Sequence, residues 1–302
     1  MKPKYLIIIA GPTAVGKTSV SIELAQKLKC EIISADSRQI YKEMSIGTAK
    51  PSHEEMKEIR HHFINHISIH ENYTVGDFER EVIELLDMYF IKNDFIIMCG
   101  GTGLYIDAVC NGMDDLVKVD QTIRSKIDAN YNQFGLNWLQ EQVKIHDPEF
   151  FNTVDQKNPA RLKRALEVIE TSGKKFSSQR TAIIKKRNFI PIKILLYDNR
   201  ELLYERINNR VDIMIKNGLI EEARNLFIYR SLNALNTVGY KELFNYFNGK
   251  LNLIEATDEI KRNSRRYAKR QLTWFNKTNE YSIFNVADKG KILEFINSKT
   301  VI

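Results

Sequence analysis

The chain has 302 residues, carries a net charge of +7 at pH 7, and is 43% hydrophobic and 27% charged. These values are typical of a globular protein with a sizeable core, and the positive charge favours a polyanionic partner wherever it is clustered. No apolar run approaches the ~18 residues of a membrane helix, and three widely spaced cysteines argue against a disulfide framework. We therefore expect a cytoplasmic protein without a membrane partner.

The first part of the chain alternates short apolar runs with helical patterns. The run at 5–10 is too short for a signal peptide and leads directly into a glycine-containing loop and a helical segment. Further apolar runs at 31–35 and 94–99 alternate with helical patterns at 75–90 and 103–110. Strands that alternate with helices predict an α/β protein with a parallel, doubly wound sheet.

The character of the sequence changes after Met113. Residues 114–191 show helical patterns rich in lysine and arginine, and a buried strand pattern returns only at 192–197. This predicts a mainly helical insertion of 114–191 in a core formed by 1–113 and 192–302, whose C-terminal part is helical. Alternatively, part of the insertion caps the core without forming a separate lobe.

The segment GPTAVGKT at 11–18 has the glycine, lysine and threonine spacing of a phosphate-binding loop, directly between a strand and a helix. In this context the backbone N–H groups bind phosphate oxygens, Lys17 supplies positive charge, and the Thr18 hydroxyl ligates Mg²⁺. We therefore predict a phosphate-loop NTPase-like core. The motif alone points to ATP, but it does not identify the phosphate compound that is bound.

A strand-end carboxylate is missing where phosphate-loop hydrolases use one. Such enzymes usually place an aspartate after an apolar strand to hold Mg²⁺ and water. Here the strand at 94–99 runs into GGTG at 100–103, which offers backbone access and the Thr102 hydroxyl. This argues against a motor ATPase or a switch GTPase, although the glycines are also compatible with a simple tight turn.

Asp36 follows the second predicted strand, in the segment SADSRQIY. Because the carboxyl ends of parallel strands open onto one crevice, Asp36 should face the phosphate loop. There it can serve as a general base, a hydrogen-bond acceptor or a Mg²⁺ ligand. An aspartate followed by serine is also a good helix N-cap, and the sequence leaves both interpretations open.

Positive charge is clustered in two helical segments. One is ARLKR at 160–164, and the other contains Lys261, Arg262, Arg265, Arg266, Lys269 and Arg270. For either cluster alone, a solvated helix face is the simpler interpretation. Two clusters, with aromatic residues among them and a phosphate site nearby, favour an RNA partner.

Arg210 follows the strand pattern at 192–197 on a predicted helix. It is placed to stabilise charge on a bound diphosphate, or alternatively to form a salt bridge with Glu201, Glu205 or Asp212. Histidines crowd residues 53–70, but no cysteine or carboxylate set completes a metal site, so we interpret them as structural.

Eight segments that span residues 7 to about 276 resemble the tRNA dimethylallyltransferase family, also called tRNA isopentenyltransferases, in the expected order. They are GPTAVGKT (11–18), DSRQIYKEMSIGTAKP (36–51), HHFIN (61–65), GGTGLY (100–105), NPARLKRALEV (158–168), RVDIMIKNGLIEE (210–222), TVGYKE (237–242) and AKRQLTWF (268–275). Val15 and Asn65 depart from the serine and aspartate that the family often has there. The missing C-terminal Cys/His zinc module resembles the short bacterial form.

The resemblance implies transfer of the dimethylallyl group from dimethylallyl diphosphate to N6 of the adenine 3′ of a tRNA anticodon. It implies Mg²⁺, release of diphosphate, and a phosphate-loop α/β core with an inserted helical domain. No coiled coil or apolar surface stripe demands self-association, so we expect a monomer that binds the tRNA anticodon stem-loop.

The resemblance also implies roles for particular residues. Asp36, Thr102 and Arg210 would be catalytic, and Thr18 would bind the metal. The diphosphate would be held by Gly11, Pro12, Thr13, Ala14, Val15, Gly16, Lys17 and Thr18. The tRNA would contact Asp36, Ser37, Arg38, Gln39, Thr102, Arg124, Ala160, Arg161, Leu162, Lys163 and Arg164.

Two other classes of protein share some of these features. A small-molecule or nucleoside monophosphate kinase has the loop, an aspartate after the second strand and glycines after the third, but it does not need the basic insertion. A non-catalytic RNA-binding protein with a relic loop explains the charge, but it explains neither Asp36 nor Thr102.

Overall fold

The computed structural model describes residues 2–114, 117–181 and 183–300. These residues form two compact units, one of Met1–Cys110 and Lys186–Ile302 and the other of Asn111–Lys185. The second unit therefore begins and ends slightly earlier in the chain than the predicted insertion of 114–191.

The first unit is built on a six-stranded sheet in which every strand pairs in parallel with its neighbours, in the order β3-β2-β4-β1-β5-β6. The strands are β1 Tyr5–Ala10, β2 Ile32–Ser34, β3 His61–His62, β4 Phe95–Gly100, β5 Ile190–Tyr197 and β6 Ser282–Asn285. The parallel α/β fold predicted from the sequence is thus confirmed.

The helices that follow or connect these strands are α1 Lys17–Leu28, α2 His53–Glu58, α3 Val75–Tyr89, α4 Gly103–Asn111, α9 Arg200–Lys216, α10 Leu219–Leu226, α11 Tyr240–Phe247, α12 Leu253–Phe275 and α13 Lys289–Lys299. Two short 3₁₀ helices, Phe227–Tyr229 and Asn233–Leu235, join α10 to α11. No helix in the described part of the chain is both long and apolar enough to cross a membrane.

The central strand β1 is buried on both faces because its six residues are nearly all aliphatic. Ile7 and Ile9 pack in one hydrophobic cluster with α1 and α13, whereas Leu6 and Ile8 pack in another with α3 and α4. This alternation follows from the two-residue period of a strand, and burial of both faces is typical of a parallel sheet. Because β1 lies between β4 and β5, its end and the loop that follows it lie near the centre of one edge of the sheet.

The second unit is helical, with α5 Gln121–His146, α6 Pro148–Thr153, α7 Pro159–Ser172 and α8 Phe176–Gln179. Helix α5 contains a kink at Gly135, where φ is 75°. The core of the unit includes Leu139, Phe150 and Leu162. Its only fully buried carboxylate among the described residues, Asp147, accepts hydrogen bonds from the backbone of Phe150 and the Ser177 hydroxyl.

The strands β3 and β6 were not predicted. Strand β3 has only two residues, and the residues of β6 are half-buried or exposed at the sheet edge. Neither therefore has the continuous apolar run that identifies a buried strand in a sequence.

Gly100, at the end of β4, is required by the close approach of β2. A Cβ atom at this position would lie 2.1 Å from the Ala35 carbonyl oxygen, far inside van der Waals contact. We expect Gly100→Ala to force these two backbones apart and to lower the free energy of unfolding by at least about 2 kcal/mol. Thermal or urea denaturation measures this loss.

Gly290→Ala is the matched control, because Gly290 is exposed at the start of α13 and a Cβ atom there meets nothing within 4 Å. We expect its stability to stay within about 0.5 kcal/mol of the parent. Equal stability of the two variants would contradict the steric role of Gly100.

Candidate active site

The phosphate loop leaves β1 at Ala10 and enters α1 at Lys17. Gly16 has a φ of 103°, at which a residue with a side chain would be strained. A Cβ atom on Gly11 would lie 2.9 Å from the Leu196 carbonyl oxygen. Both glycines are therefore needed to bring the loop tightly over the ends of β1 and β5. This geometry directs the N-terminus of the 12-residue helix α1 at the space beyond the sheet, as in anion-binding loops.

Lys17 is the charged residue of this loop, and its Nζ atom donates a hydrogen bond to the Pro12 carbonyl oxygen at 2.8 Å. Burial lowers the pKa of Lys17 to about 8, although Cys99 and Asp36 act in the opposite direction. Nearby Arg210 lowers the pKa further. A polyanion bound at the loop would reverse this effect by favouring the charged ammonium.

Asp36 follows β2 and lies at the start of a turn, so it does not form the helix N-cap that the sequence left open. Its Oδ1 atom accepts hydrogen bonds from the backbone N–H groups of Arg38 and Gln39, at 2.8 and 3.3 Å. These bonds close a turn rather than start a helix. No hydrogen bond reaches Oδ2 from any residue the structure describes, so one oxygen supports the loop and the other is available to a ligand.

Thr102, one residue after Gly101, joins the ends of β2 and β4. Its Oγ1 atom accepts a hydrogen bond from the Ser37 backbone at 3.1 Å, and its own N–H donates to the Ala35 carbonyl at 3.2 Å. The ring of Tyr267 on α12 lies beside this hydroxyl, and burial raises the pKa of Tyr267 to about 12. Thr102 therefore sets the position of the turn that carries Asp36.

The glycines of GGTG make room for α12 as well as for a turn. Cβ atoms at Gly101 and Gly103 would lie 2.1 Å from the amide of Gln271 and 2.2 Å from the indole of Trp274. The sequence predicted close backbone approach here, but it did not indicate that the approaching groups are side chains of the C-terminal helix.

Arg210, on α9, extends towards the phosphate loop. Its Nη1 atom lies 3.4 Å from the Thr13 hydroxyl oxygen, and burial lowers its pKa while Asp36 raises it. Among the described carboxylates none forms a salt bridge with Arg210, and Asp212 pairs instead with Lys261 at 2.6 Å. The guanidinium charge is therefore directed at the site and not neutralised on the surface of α9.

A cavity of about 560 Å³ opens in front of these groups, a size suited to a small-molecule site. It is lined by Thr13 and Ala14 of the loop, by Asp36 and Ser37 after β2, and by Arg210 of α9. The other side is formed by residues of α11 and α12 and the segment before α11, among them Asn236, Lys241, Glu242, Asn263, Tyr267 and Arg270.

Two predicted tRNA contacts have structural partners within the first unit. The Arg38 guanidinium donates to the carbonyls of Asn233 and Ala234, at 3.1 and 3.0 Å. The Gln39 carboxamide accepts from the Ser34 hydroxyl and donates to the carbonyls of Thr48 and Ala49. Gln39 thus holds the segment after Asp36 together, whereas Arg38 also lines the cavity.

The predicted tRNA contacts of the second unit differ in their burial and in their ion pairs. Leu162 is fully buried, so its side chain belongs to the core of the unit. Lys163 pairs with Asp128 at 2.6 Å, and both Arg124 and Arg164 approach Glu167, at 3.6 and 3.4 Å. Ala160 and Arg161 are exposed. Among these cations, only Arg161 forms no ion pair with a described residue.

The C-terminal basic cluster on α12 is partly neutralised in the same way. Lys261 pairs with Asp212, and Arg262 pairs with Glu259 at 2.6 Å. Arg270 stacks on the ring of Tyr267, with 5.6 Å to the ring centroid, and lines the cavity.

The histidine-rich segment does not form a metal site, since no group of three potential ligands of the His, Cys, Asp or Glu type occurs within the described ranges. His62 instead bonds Glu31 at 2.5 Å, and His66 bonds Glu81 at 2.7 Å.

Fold and site together define a phosphate-loop α/β protein whose loop faces an aspartate across a cavity. Comparison with known proteins narrows this class. The sequence model described as IPP transferase matches residues 39–278. A tRNA dimethylallyltransferase of Christiangramia forsetii is 52% identical over 296 residues, with 98% of each chain covered. One of Flavobacterium johnsoniae is 49% identical over 300 residues, with 97% of each chain covered.

Solved structures agree with these relatives. The tRNA isopentenylpyrophosphate transferase of Bacillus halodurans has a TM-score of 0.73 at 36% identity, covering 98% of this chain and 96% of that one. A eukaryotic dimethylallyltransferase acting on tRNA has a TM-score of 0.81 at 26% identity, covering 99% and 81%. The chain therefore belongs to the tRNA dimethylallyltransferase family. This membership disfavours the kinase interpretation.

The lowered pKa of Lys17 predicts how anion binding depends on pH. Lys17 is protonated below about pH 8 and loses its charge above it, so affinity for inorganic diphosphate should fall as the pH rises through this value. Calorimetric titrations between about pH 7 and pH 9 measure this fall.

Lys17→Arg is the reference variant, because a guanidinium stays protonated over this range. Comparison with this variant at each pH also cancels the titration of diphosphate itself. Parallel pH profiles for the parent and for Lys17→Arg would contradict the assignment.

Proposed function

We propose that the chain transfers the dimethylallyl group from dimethylallyl diphosphate to the exocyclic N6 of the adenine next to the 3′ side of a tRNA anticodon, and releases diphosphate. The proposal extends the family membership to a particular donor, acceptor atom and site.

The observation that carries this proposal is the arrangement of charges at one edge of the sheet. Lys17 and Arg210 are close enough to Asp36 that its charge raises the pKa of each cation. Two half-buried cations beside the phosphate loop suit a leaving diphosphate, and one carboxylate oxygen across the cavity suits an attacking amine.

In the proposed reaction, the adenine N6 forms a bond to the first carbon of the dimethylallyl group while the bond from that carbon to the diphosphate oxygen breaks. The electron pair leaves with the diphosphate, whose charge Lys17 and Arg210 stabilise. One N6 proton passes to Oδ2 of Asp36, which keeps the amine nucleophilic. No activated water takes part, which fits the strand-end glycines in place of a carboxylate.

We propose that Mg²⁺ is bound through the Thr18 hydroxyl, in the first turn of α1. The hydroxyl forms no hydrogen bond with the residues that the structure describes, and hydroxyl and phosphate oxygens are ligands that Mg²⁺ accepts. When bound, Mg²⁺ would neutralise charge on the departing diphosphate.

For the acceptor, we propose the anticodon stem-loop of tRNA, bound by a monomer in the cytoplasm. The adenine must leave its stack to enter the cavity, which costs a few kcal/mol and less in a loop than in a duplex. Arg161 is exposed and forms no ion pair with a described residue, so its guanidinium is the strongest candidate for a phosphate contact in the second unit.

Asp36→Asn separates the two roles of Asp36, because asparagine retains the Oδ1 acceptor for Arg38 and Gln39 but loses the base. We expect kcat to fall by about 10²–10⁴-fold while the KM for dimethylallyl diphosphate and the melting temperature change little. Steady-state transfer to an anticodon stem-loop RNA measures both constants. A loss confined to donor binding would instead assign Asp36 to the metal.

Arg161→Ala tests the proposed phosphate contact in the second unit. Loss of one such contact should weaken tRNA binding. The slope of log affinity against log salt concentration is negative, and it should become shallower by about 1. The control is Lys92→Ala, since Lys92 is exposed just before β4, at the opposite end of the strands from the phosphate loop. An unchanged slope for Arg161→Ala would mean that Arg161 contacts no phosphate and is only a solvated residue on the helix face.

A further inference from the structure

Gln271, near the C-terminal end of α12, is a buried polar side chain that joins the two loops of the site. Its Oε1 atom accepts a hydrogen bond from the Thr13 backbone N–H at 2.8 Å, and its Nε2 atom donates to the Gly101 carbonyl at 3.0 Å. The residue is only 6% exposed. Because one end of a carboxamide only accepts and the other only donates, these two bonds fix its orientation.

The loop after β4 is shaped to receive this amide. A Cβ atom on Gly101 would lie 2.1 Å from Nε2 of Gln271, so a larger residue would displace the carboxamide. No positive φ requires glycine at this position. Glycine is therefore required at position 101 because Gln271 occupies the space that a side chain would need.

A short path of hydrogen bonds leads from Gln271 to Asp36. Gly101 precedes Thr102, whose N–H donates to the Ala35 carbonyl at 3.2 Å and whose hydroxyl accepts from the Ser37 N–H at 3.1 Å. Ala35 and Ser37 flank Asp36 in the chain. One side chain thus connects the loop that would hold the donor with the turn that would hold the acceptor.

We propose that Gln271 is a positioning residue that sets the separation between the phosphate loop and Asp36, and so between the diphosphate-bound carbon and the attacking nitrogen. The inference rests on the proposed function, which assigns these two ligands to the two loops. Transfer requires the reacting atoms to approach to about 3–3.5 Å, and a displacement of about 1 Å can cost 10²-fold in rate. Gln271 acts through the two backbones and touches neither substrate.

Gln271→Met retains a long side chain but removes both hydrogen bonds. We expect kcat to fall by about 10- to 100-fold, while KM for the donor and for the anticodon stem-loop changes by less than about threefold. Each loop still contains its own binding groups, and only their separation changes. Unaltered kcat in a variant that is folded by circular dichroism would overturn the proposal, as would a loss confined to KM.

A double-mutant cycle with Gly101→Ala tests the same contact without removing Gln271. The new methyl group should displace the amide and lower kcat to a similar degree. In the Gln271→Ala background the methyl group has room, so the second substitution should cost little more, which is a non-additive result. Additive losses would mean that the two residues act separately, and would overturn the proposal.

Trp274→Phe is the matched control on the same helix. It removes the bond from the indole Nε1 to Asp107, at 2.9 Å, without altering either bond of Gln271. We expect a lower melting temperature with kcat within about twofold of the parent. If the unaltered chain transfers no dimethylallyl group, the proposed function fails together with this inference. If the unaltered chain transfers the dimethylallyl group and Gln271→Met retains its kcat, only the inference fails.

Discussion

Burial of β1 between two parallel neighbours is the constraint on which the rest of the structure depends. Leu6 and Ile7 are fully buried, and the strand pairs with β4 on one side and β5 on the other. All strands run in the same direction, so their carboxyl ends meet at one edge. The phosphate loop, Asp36 and Thr102 follow three of these ends, which brings segments distant in the chain into one site.

The electrostatics of this edge follow from burial. Lys17 and Arg210 both have lowered pKa values because they are partly withdrawn from water, and no described carboxylate forms a salt bridge with either. Buried positive charge is costly unless it is paired. The proposed diphosphate would supply negative charge here, so part of its binding free energy would come from relieving a cost already present in the free protein.

Support of the site is divided between residues that face the cavity and residues that hold the loops. Asp36 does both, through different oxygens of one carboxylate. Gln271 binds backbone groups through both ends of its carboxamide, and Gln39 binds the Ser34 hydroxyl and two backbone carbonyls, so both residues shape the site through contacts within the protein. This division makes the geometry of the site depend on α12, although most residues with a proposed chemical role lie in the first third of the chain.

The sequence alone determined the parallel α/β fold, the phosphate loop and the positions of Asp36 and Thr102 after their strands, because strand periodicity and loop motifs are local patterns. Tertiary structure decided the rest. The pairing of edge strands β3 and β6 and the lack of a salt bridge between Arg210 and any described carboxylate depend on neighbours that no local pattern reveals. Gln271 shows the limit most clearly, since its partner Thr13 is 258 residues away. Contacts at such separations are created only when the chain folds, and in a single sequence they leave no periodicity to read.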